Sequence, residues 1–186
     1  MSQQDAASLP ASHGRFRVDP FRFAAENRVA QGELPLAGLS RLGDVLFASE
    51  GGLRWKLSGF TVQAVEAVGG GAAAEPRLEL EVGGQLELCC QRCLGSLEWP
   101  VVIHSLLHPV RAGEVIADEE LEDDEVDAFE VDGDLDVPSL IEDEVLLALP
   151  ISPRHENCTP SSAGETSTEE SPFAALASLR SSGQAR

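Results

Sequence analysis

The stretch LELEVGGQLELCCQRCLGSLEWPVVI, residues 78–103, decides the fold of this chain. Leu78, Leu80, Val82, Leu86, Leu88 and Cys90 all occupy even positions, with Glu79, Glu81, Gln85 and Glu87 between them. A period of two marks a strand that presses one face against a core. Gly83-Gly84 invites a two-residue hairpin. Such a turn would put Val82 on the side of Gln85 and Leu80 on the side of Glu87. Parity instead predicts one long strand, kinked at the glycines, with every apolar side chain on one face. Leu97, Trp99, Val101 and Ile103 alternate on the return strand, so Gln91–Ser96 is the expected hairpin loop, straddled by Cys90 and Cys93. Pro100 predicts an edge strand or a bulge in that return.

Upstream, Leu53, Trp55 and Leu57 alternate with Arg54 and Lys56. The phase then slips at Ser58-Gly59, and Phe60, Val62 and Ala64 continue on the opposite parity, which predicts a β-bulge at Gly59. Asp19-Pro20 reads as a helix start, cap followed by first-turn proline, running through Phe21, Phe23, Ala24, Ala25 and Arg28. Gly32–Leu36 reads as a short strand, Leu39–Val45 as a loop or short helical turn, and residues 69–74 as a loop. Downstream, Phe129 and Val131 suggest a short edge strand. Pro138 opens a helix with Leu140, Ile141, Val145, Ala148 and Leu149 on one face, ending before Pro150.

This is an α+β pattern: an antiparallel β-rich domain of four to five strands with short N-terminal and C-terminal helices and disordered tails. Strands do not alternate with helices, which argues against a parallel nucleotide-binding sheet. The expected organisation is a polar leader at 1–13, a single domain at 14–158 containing an acidic segment at 114–136, and a polar tail at 159–186. Within the tail, residues 172–180 form a short amphipathic stretch with Phe173, Leu176 and Leu179 at spacing three.

The 186 residues carry a formal net charge of −19, very unevenly placed. Sixteen acids fall between Glu114 and Glu144, and no Lys or Arg lies between Arg111 and Arg154. The remaining sixteen acids face thirteen bases, so the rest of the chain is nearly balanced. The acidic run is either a solvated loop or a surface that attracts a basic partner, and it disfavours direct, electrostatically driven RNA binding. Arg15, Arg17, Arg22 and Arg28 are the rival patch for RNA phosphates. Four cysteines without a secretory signal predict a reducing, cytoplasmic setting, and no stretch approaches the length of a membrane span.

Cys90 and Cys93, two residues apart, can reach one metal ion or bond to each other. Gly95 would let the backbone tighten around thiolate sulfur. His155 and Cys158, with the same spacing, complete a Cys3His set suited to tetrahedral zinc. The alternative for Cys90 is a buried small hydrophobe on the strand's apolar face, with Cys93 incidental. Cys89 has the wrong parity to join Cys90. A redox role is the second chemistry for the pair. Dithiol oxidoreductases, however, place C-x2-C at a helix N-terminus, and here strands flank it. Gly69–Gly71 lacks the Lys-Ser/Thr of a phosphate loop, and the carboxylates at 118–136 lack an EF-hand's glycine and closing Glu. His104 and His108 lie four apart in a strand, not on one helix face. No catalytic constellation and no small-molecule substrate site emerges.

These residues, taken in order, resemble the bacterial YceD family of large ribosomal RNA subunit accumulation proteins, also found in plant plastids. The matching pieces are Cys90-Gln-Arg-Cys93 with Leu94 and the strand after it, then Pro109-Val110-Arg111. An acidic stretch, Ile141–Pro150, His155, Cys158 and Pro172–Arg180 complete the likeness over residues 77 to 180. Ser171 stands where the family often has Asn, and Arg180 where it usually has Lys. The resemblance implies a non-enzymatic factor for 23S rRNA accumulation in large-subunit biogenesis. The implied partner is a ribosomal protein, an assembly factor or pre-rRNA, and the implied cofactor is zinc. A thiol-redox or metal-handling protein using Cys90 and Cys93 is the alternative.

Overall fold

A computed structural model describes residues 7–8, 16–63, 74–114, 116 and 125–160. Nine strands and two α-helices appear among them: β1 (Ala7–Ser8), β2 (Arg17–Val18), α1 (Pro20–Ala25), β3 (Val29–Pro35), β4 (Leu46–Ala48), β5 (Gly52–Gln63), β6 (Ala74–Cys89), β7 (Ser96–Arg111), β8 (Asp127–Val131), β9 (Leu135–Asp136) and α2 (Val137–Ala148). Two single 3-10 turns, Leu36–Gly38 and Leu42–Asp44, lie between β3 and β4.

Sequence periodicity anticipates β3, β5, β6, β7 and β8, within its four to five strands. The additional strands, β1, β2, β4 and β9, are only two or three residues long. An alternation cannot register over so few positions; pairing creates them. Seven strands form one sheet in the order β1-β3-β5-β6-β7-β8, with β4 also on β6, while β2 and β9 make a separate ribbon. The central pairs are antiparallel, but β1 on β3 and β8 on β7 are parallel. The sheet is therefore mixed at both ends of its strand order.

β6 confirms the parity reading. It runs unbroken through Gly83 and Gly84, in register with β7 from Leu78 opposite Leu107 to Cys89 opposite Ser96. A Cβ on Gly84 would come within 2.7 Å of Leu53 Cδ2, so glycine permits β5 to lie close. Leu53 and Leu57 of β5, Leu78, Leu80, Leu86 and Leu88 of β6, and Val101, Ile103 and Leu107 of β7 are buried. The helices and 3-10 turns add Phe23, Leu36, Leu42, Val137, Ile141 and Val145 to the same core. The other face is polar, with Lys56 paired to Glu81 and Glu79 to His104, as a one-sided antiparallel sheet allows.

The bulge expected at Gly59 is absent. β5 pairs with β6 in unshifted register from Arg54 to Gln63. A Cβ on Gly59 would meet Phe23 Cδ1 at 2.7 Å, the Phe23 carbonyl at 2.8 Å and Ala24 Cα at 2.9 Å. Gly59 is thus the hollow that receives α1. The apparent change of phase arises because Phe60 and Val62 are half-buried on the opposite face. Asp19 caps α1 by accepting from the amides of Phe21 and Arg22, and Asp136 caps α2 through Ser139 N–H. In α2, Ala148 is exposed, whereas Glu142 is buried. Its carboxylate accepts from the backbone amides of Arg41 (2.7 Å) and Leu42 (3.0 Å) and from Arg41 Nε (3.0 Å). A helix carboxylate therefore closes the start of the second 3-10 turn.

The segment at 172–180 lies outside the described residues, as does most of 1–13 and 159–186. Of the acidic segment, residues 114, 116 and 125–136 are described. Among the described residues no helix is long and apolar enough to cross a membrane.

Candidate metal centre

The β6–β7 hairpin closes through residues 90–95. Cys90 N–H donates to the Gly95 carbonyl and Leu94 N–H to the Cys90 carbonyl. Leu94, not Gly95, takes the left-handed conformation, with φ of 59°. The steric need expected at Gly95 is also missing, because a Cβ there would touch Cys93 Sγ at an ordinary 3.5 Å. What turns Cys93 back toward Cys90 is the turn's own hydrogen bonding.

After α2 the chain passes under this turn as an irregular strap, residues 151–160. Gln91 N–H donates to the Pro153 carbonyl (2.8 Å), and Arg92 Nη1 donates to the Cys158 carbonyl (3.2 Å). His155 Nε2 lies 2.9 Å from the Ser96 carbonyl oxygen. A carbonyl can only accept, so Nε2 carries the hydrogen and Nδ1 presents its lone pair. That lone pair faces Cys93 Sγ at 3.4 Å. Fixing one ring nitrogen on a backbone oxygen is how proteins orient an imidazole ligand. Residue patterns give no hint of Ser96, Pro153 or Arg92 in these roles, since backbone oxygens and turn geometry carry them.

Cys90, Cys93, His155 and Cys158 thus converge, with all four ligand atoms within 4.8 Å of one another. Cys90 Sγ and Cys158 Sγ are 3.8 Å apart. Around one tetrahedral ion bound at ordinary zinc distances, sulfur–sulfur separations come to about 3.8 Å and sulfur–nitrogen separations to about 3.6 Å. The Cys90–Cys158 pair matches its edge and the Cys93–His155 pair falls about 0.2 Å short of its own, and the group could hold a metal ion. No disulfide joins the four cysteines.

The electrostatics favour a thiolate at the centre. Burial works against ionisation of Cys90, which is fully buried. Hydrogen bonding from the amides of Cys93, Arg92 and His155 and from the Cys93 thiol outweighs that penalty and draws the Cys90 thiol down to about 5. Cys158 moves the other way, raised by burial and by the neighbouring Cys90 and Cys93 sulfurs. Cys90 ionises easily while Cys158 holds its proton, the behaviour of crowded thiols that a cation would relieve. Cys89 stays out of the group, as parity predicts: its amide donates to the Val45 carbonyl, and its sulfur lies 3.9 Å from the Leu94 carbonyl.

The other sequence candidates do not assemble. His104 is exposed and bound to Glu79 at 3.0 Å, while His108 is buried further along β7. Arg17, Arg22 and Arg28 line one shallow groove with Phe16 and Phe23, but Arg17 is paired with Asp136 and Arg22 with Glu26. Arg28 lies over the Phe23 ring, and Arg15 is outside the described residues. A phosphate would have to compete with two ion pairs there.

No solved structure matches the chain. Residues 78–180 match the family described as Large ribosomal RNA subunit accumulation protein YceD, a span that begins at the central strand and takes in both halves of the Cys/His group. The chain belongs to the YceD family.

Proposed function

We propose that this protein is a non-enzymatic factor that promotes accumulation of large-subunit (23S) rRNA. Its Cys3His group would bind zinc as a structural clip, and its acidic surface would engage a basic ribosomal protein or assembly factor. The observation that carries this reading is the family match over residues 78–180. The four donors of the cysteine group support the zinc assignment: thiolate and imidazole suit that ion, and four protein ligands leave no open position for catalysis. Zinc there would tie the strap to the hairpin turn, and His155, oriented by the Ser96 carbonyl, would enter as the Nδ1 ligand.

The acidic surface is supported by Asp127, Glu130, Asp132 and Asp134, exposed on β8 and the turn after it. A basic protein is the complementary partner, because phosphate backbones would be repelled. This arrangement protects pre-rRNA indirectly in the cytoplasm, through the protein that the acidic face holds.

A thiol-redox role draws support from the lowered Cys90 thiol. Burial of that sulfur counts against it, since an attacking thiolate must reach its disulfide. The test is the ratio of large- to small-subunit rRNA in cells depleted of the protein. A selective fall is expected, restored by wild type and not by the double variant Cys90→Ser, Cys93→Ser. An unchanged ratio would sink the rRNA role. Purified protein should carry one zinc per chain, and protein free of zinc that turned over disulfide substrates would favour the redox reading.

A further inference from the structure

β7 runs for sixteen residues, but β8 covers only Leu107–Arg111 of its outer side. Among the described residues, Ser96–Leu106 have no strand on that side. The pairing pattern shows which groups are left open. Cys89 N–H points to the carbonyl of Val45, just before β4, so the odd residues of β6 turn their backbone toward β4 and β5, and the even ones toward β7. The even residues of β6 face odd residues of β7, such as Leu86 opposite Trp99 and Val82 opposite Ile103. Glu98, Pro100, Val102 and His104 therefore turn their backbone groups outward. Pro100 fits because its missing N–H costs no sheet bond there.

The side chains beside this edge are unusual for a solvated rim. Val102 is 89% exposed, opposite Gly83, which offers nothing to cover it. Glu98 stands directly opposite Glu87 in the closer, non-hydrogen-bonded type of pair, and both are exposed. Like charges in that position repel. Among the described residues, Glu87 accepts from the Ser96 hydroxyl, and no cation stands between the two carboxylates. Glu144 lies next to the edge through its bond with the Ser105 hydroxyl, and Asp127 begins β8 where the edge stops.

We infer that the open edge of β7 from Glu98 to His104 takes an extended basic segment of a partner protein as an added strand. A lysine or arginine of that segment would stand beside Glu98, on the side of β7 away from Glu87, and an apolar residue, four positions along on the same face, beside Val102. Backbone pairing supplies the attachment and the flanking side chains the choice of partner, as in other strand-addition complexes. The basic chemistry rests on the protein-partner reading above.

The probe is a synthetic ten-residue peptide with two lysines and then two valines at alternate positions, all on one strand face, and threonines between them, added to the full chain and followed by amide hydrogen exchange. Exchange at Val102 and His104 should be fast in the protein alone and slowed by the peptide at least about tenfold, with no protection from a glutamate–valine counterpart. Glu98→Lys should weaken peptide binding about tenfold, because it juxtaposes like charges. Unchanged protection along β6 in that variant would show that the sheet is intact. Three results would overturn the inference: slow exchange at Val102 and His104 without peptide, protection that tracks protein concentration instead of peptide, or equal binding by Glu98→Lys. The rRNA reading stands apart: a Glu98→Lys protein that bound no peptide yet kept the rRNA ratio normal would remove the edge's role alone.

Discussion

The two ends of the β6–β7 hairpin are held by different physics. Toward the start of β6, Leu78 and Leu80 are buried beneath the helical layer, with Gly59 of β5 admitting α1 and Ser105 of β7 bound to Glu144 of α2. In the turn itself, residues 90–95, only Cys90 is fully buried. The strap beyond it has no regular structure and leaves Ile151 exposed. Apolar area secures one end, and a few polar contacts plus a sulfur cluster secure the other. Cohesion that depends on area is spread over many side chains. Cohesion through the proposed zinc would be concentrated in four ligand atoms and removable in one step.

The sharpest way to break the first end is Leu80→Ala. It should lower global stability by about 2–5 kcal/mol in a denaturant titration, because the leucine is fully enclosed and the sheet around it cannot collapse into the space. A loss below 1 kcal/mol would mean that the packed end is not what holds the sheet.

Next in size is the Glu142 link between α2 and the 3-10 turn. Burial opposes its charge, but the Leu42 amide and the Arg41 guanidinium and amide outweigh burial and hold the carboxyl below its ordinary 4.5. A depressed folded value means that the stabilisation is present above the unfolded value and is lost as pH falls through the folded one. Glu142→Gln should cost about 1–3 kcal/mol at neutral pH. Wild type and variant should converge as the solution is acidified below 4.5. A constant difference across that range would remove the charge from the explanation.

The smallest global effect belongs to the turn end. Chelation of the proposed zinc from purified protein should open amide exchange across Gln91–Ser96 and residues 153–158 while leaving protection at Leu78–Val82 unchanged. Uniform loss of protection would make the two ends one cooperative unit and erase the contrast.

Much of this architecture is written in particular residues. The even parity from Leu78 to Cys90 specifies one long strand, because a single-residue slip would turn every leucine to water. Asp19-Pro20 and Asp136 with Pro138 mark both helix starts, since a capping carboxylate and a proline without N–H suit the unsatisfied first turn. The pairs Cys90/Cys93 and His155/Cys158 were legible as donor types at ligand spacing.

Other features required the assembled chain. Gly59 reads as a bulge in one dimension and proves to be the seat of α1, because only the packed helix reveals what a Cβ would strike. The strands of two or three residues exist only through their partners, too short to carry a period of their own. His155 faces Cys93 through Nδ1 because the Ser96 carbonyl holds its other nitrogen, a contact across 59 residues. Donor identity and face are local properties, set by residue type and the two-residue period. Convergence of donors, and the open edge of β7, depend on where distant segments pass, which tertiary packing alone decides.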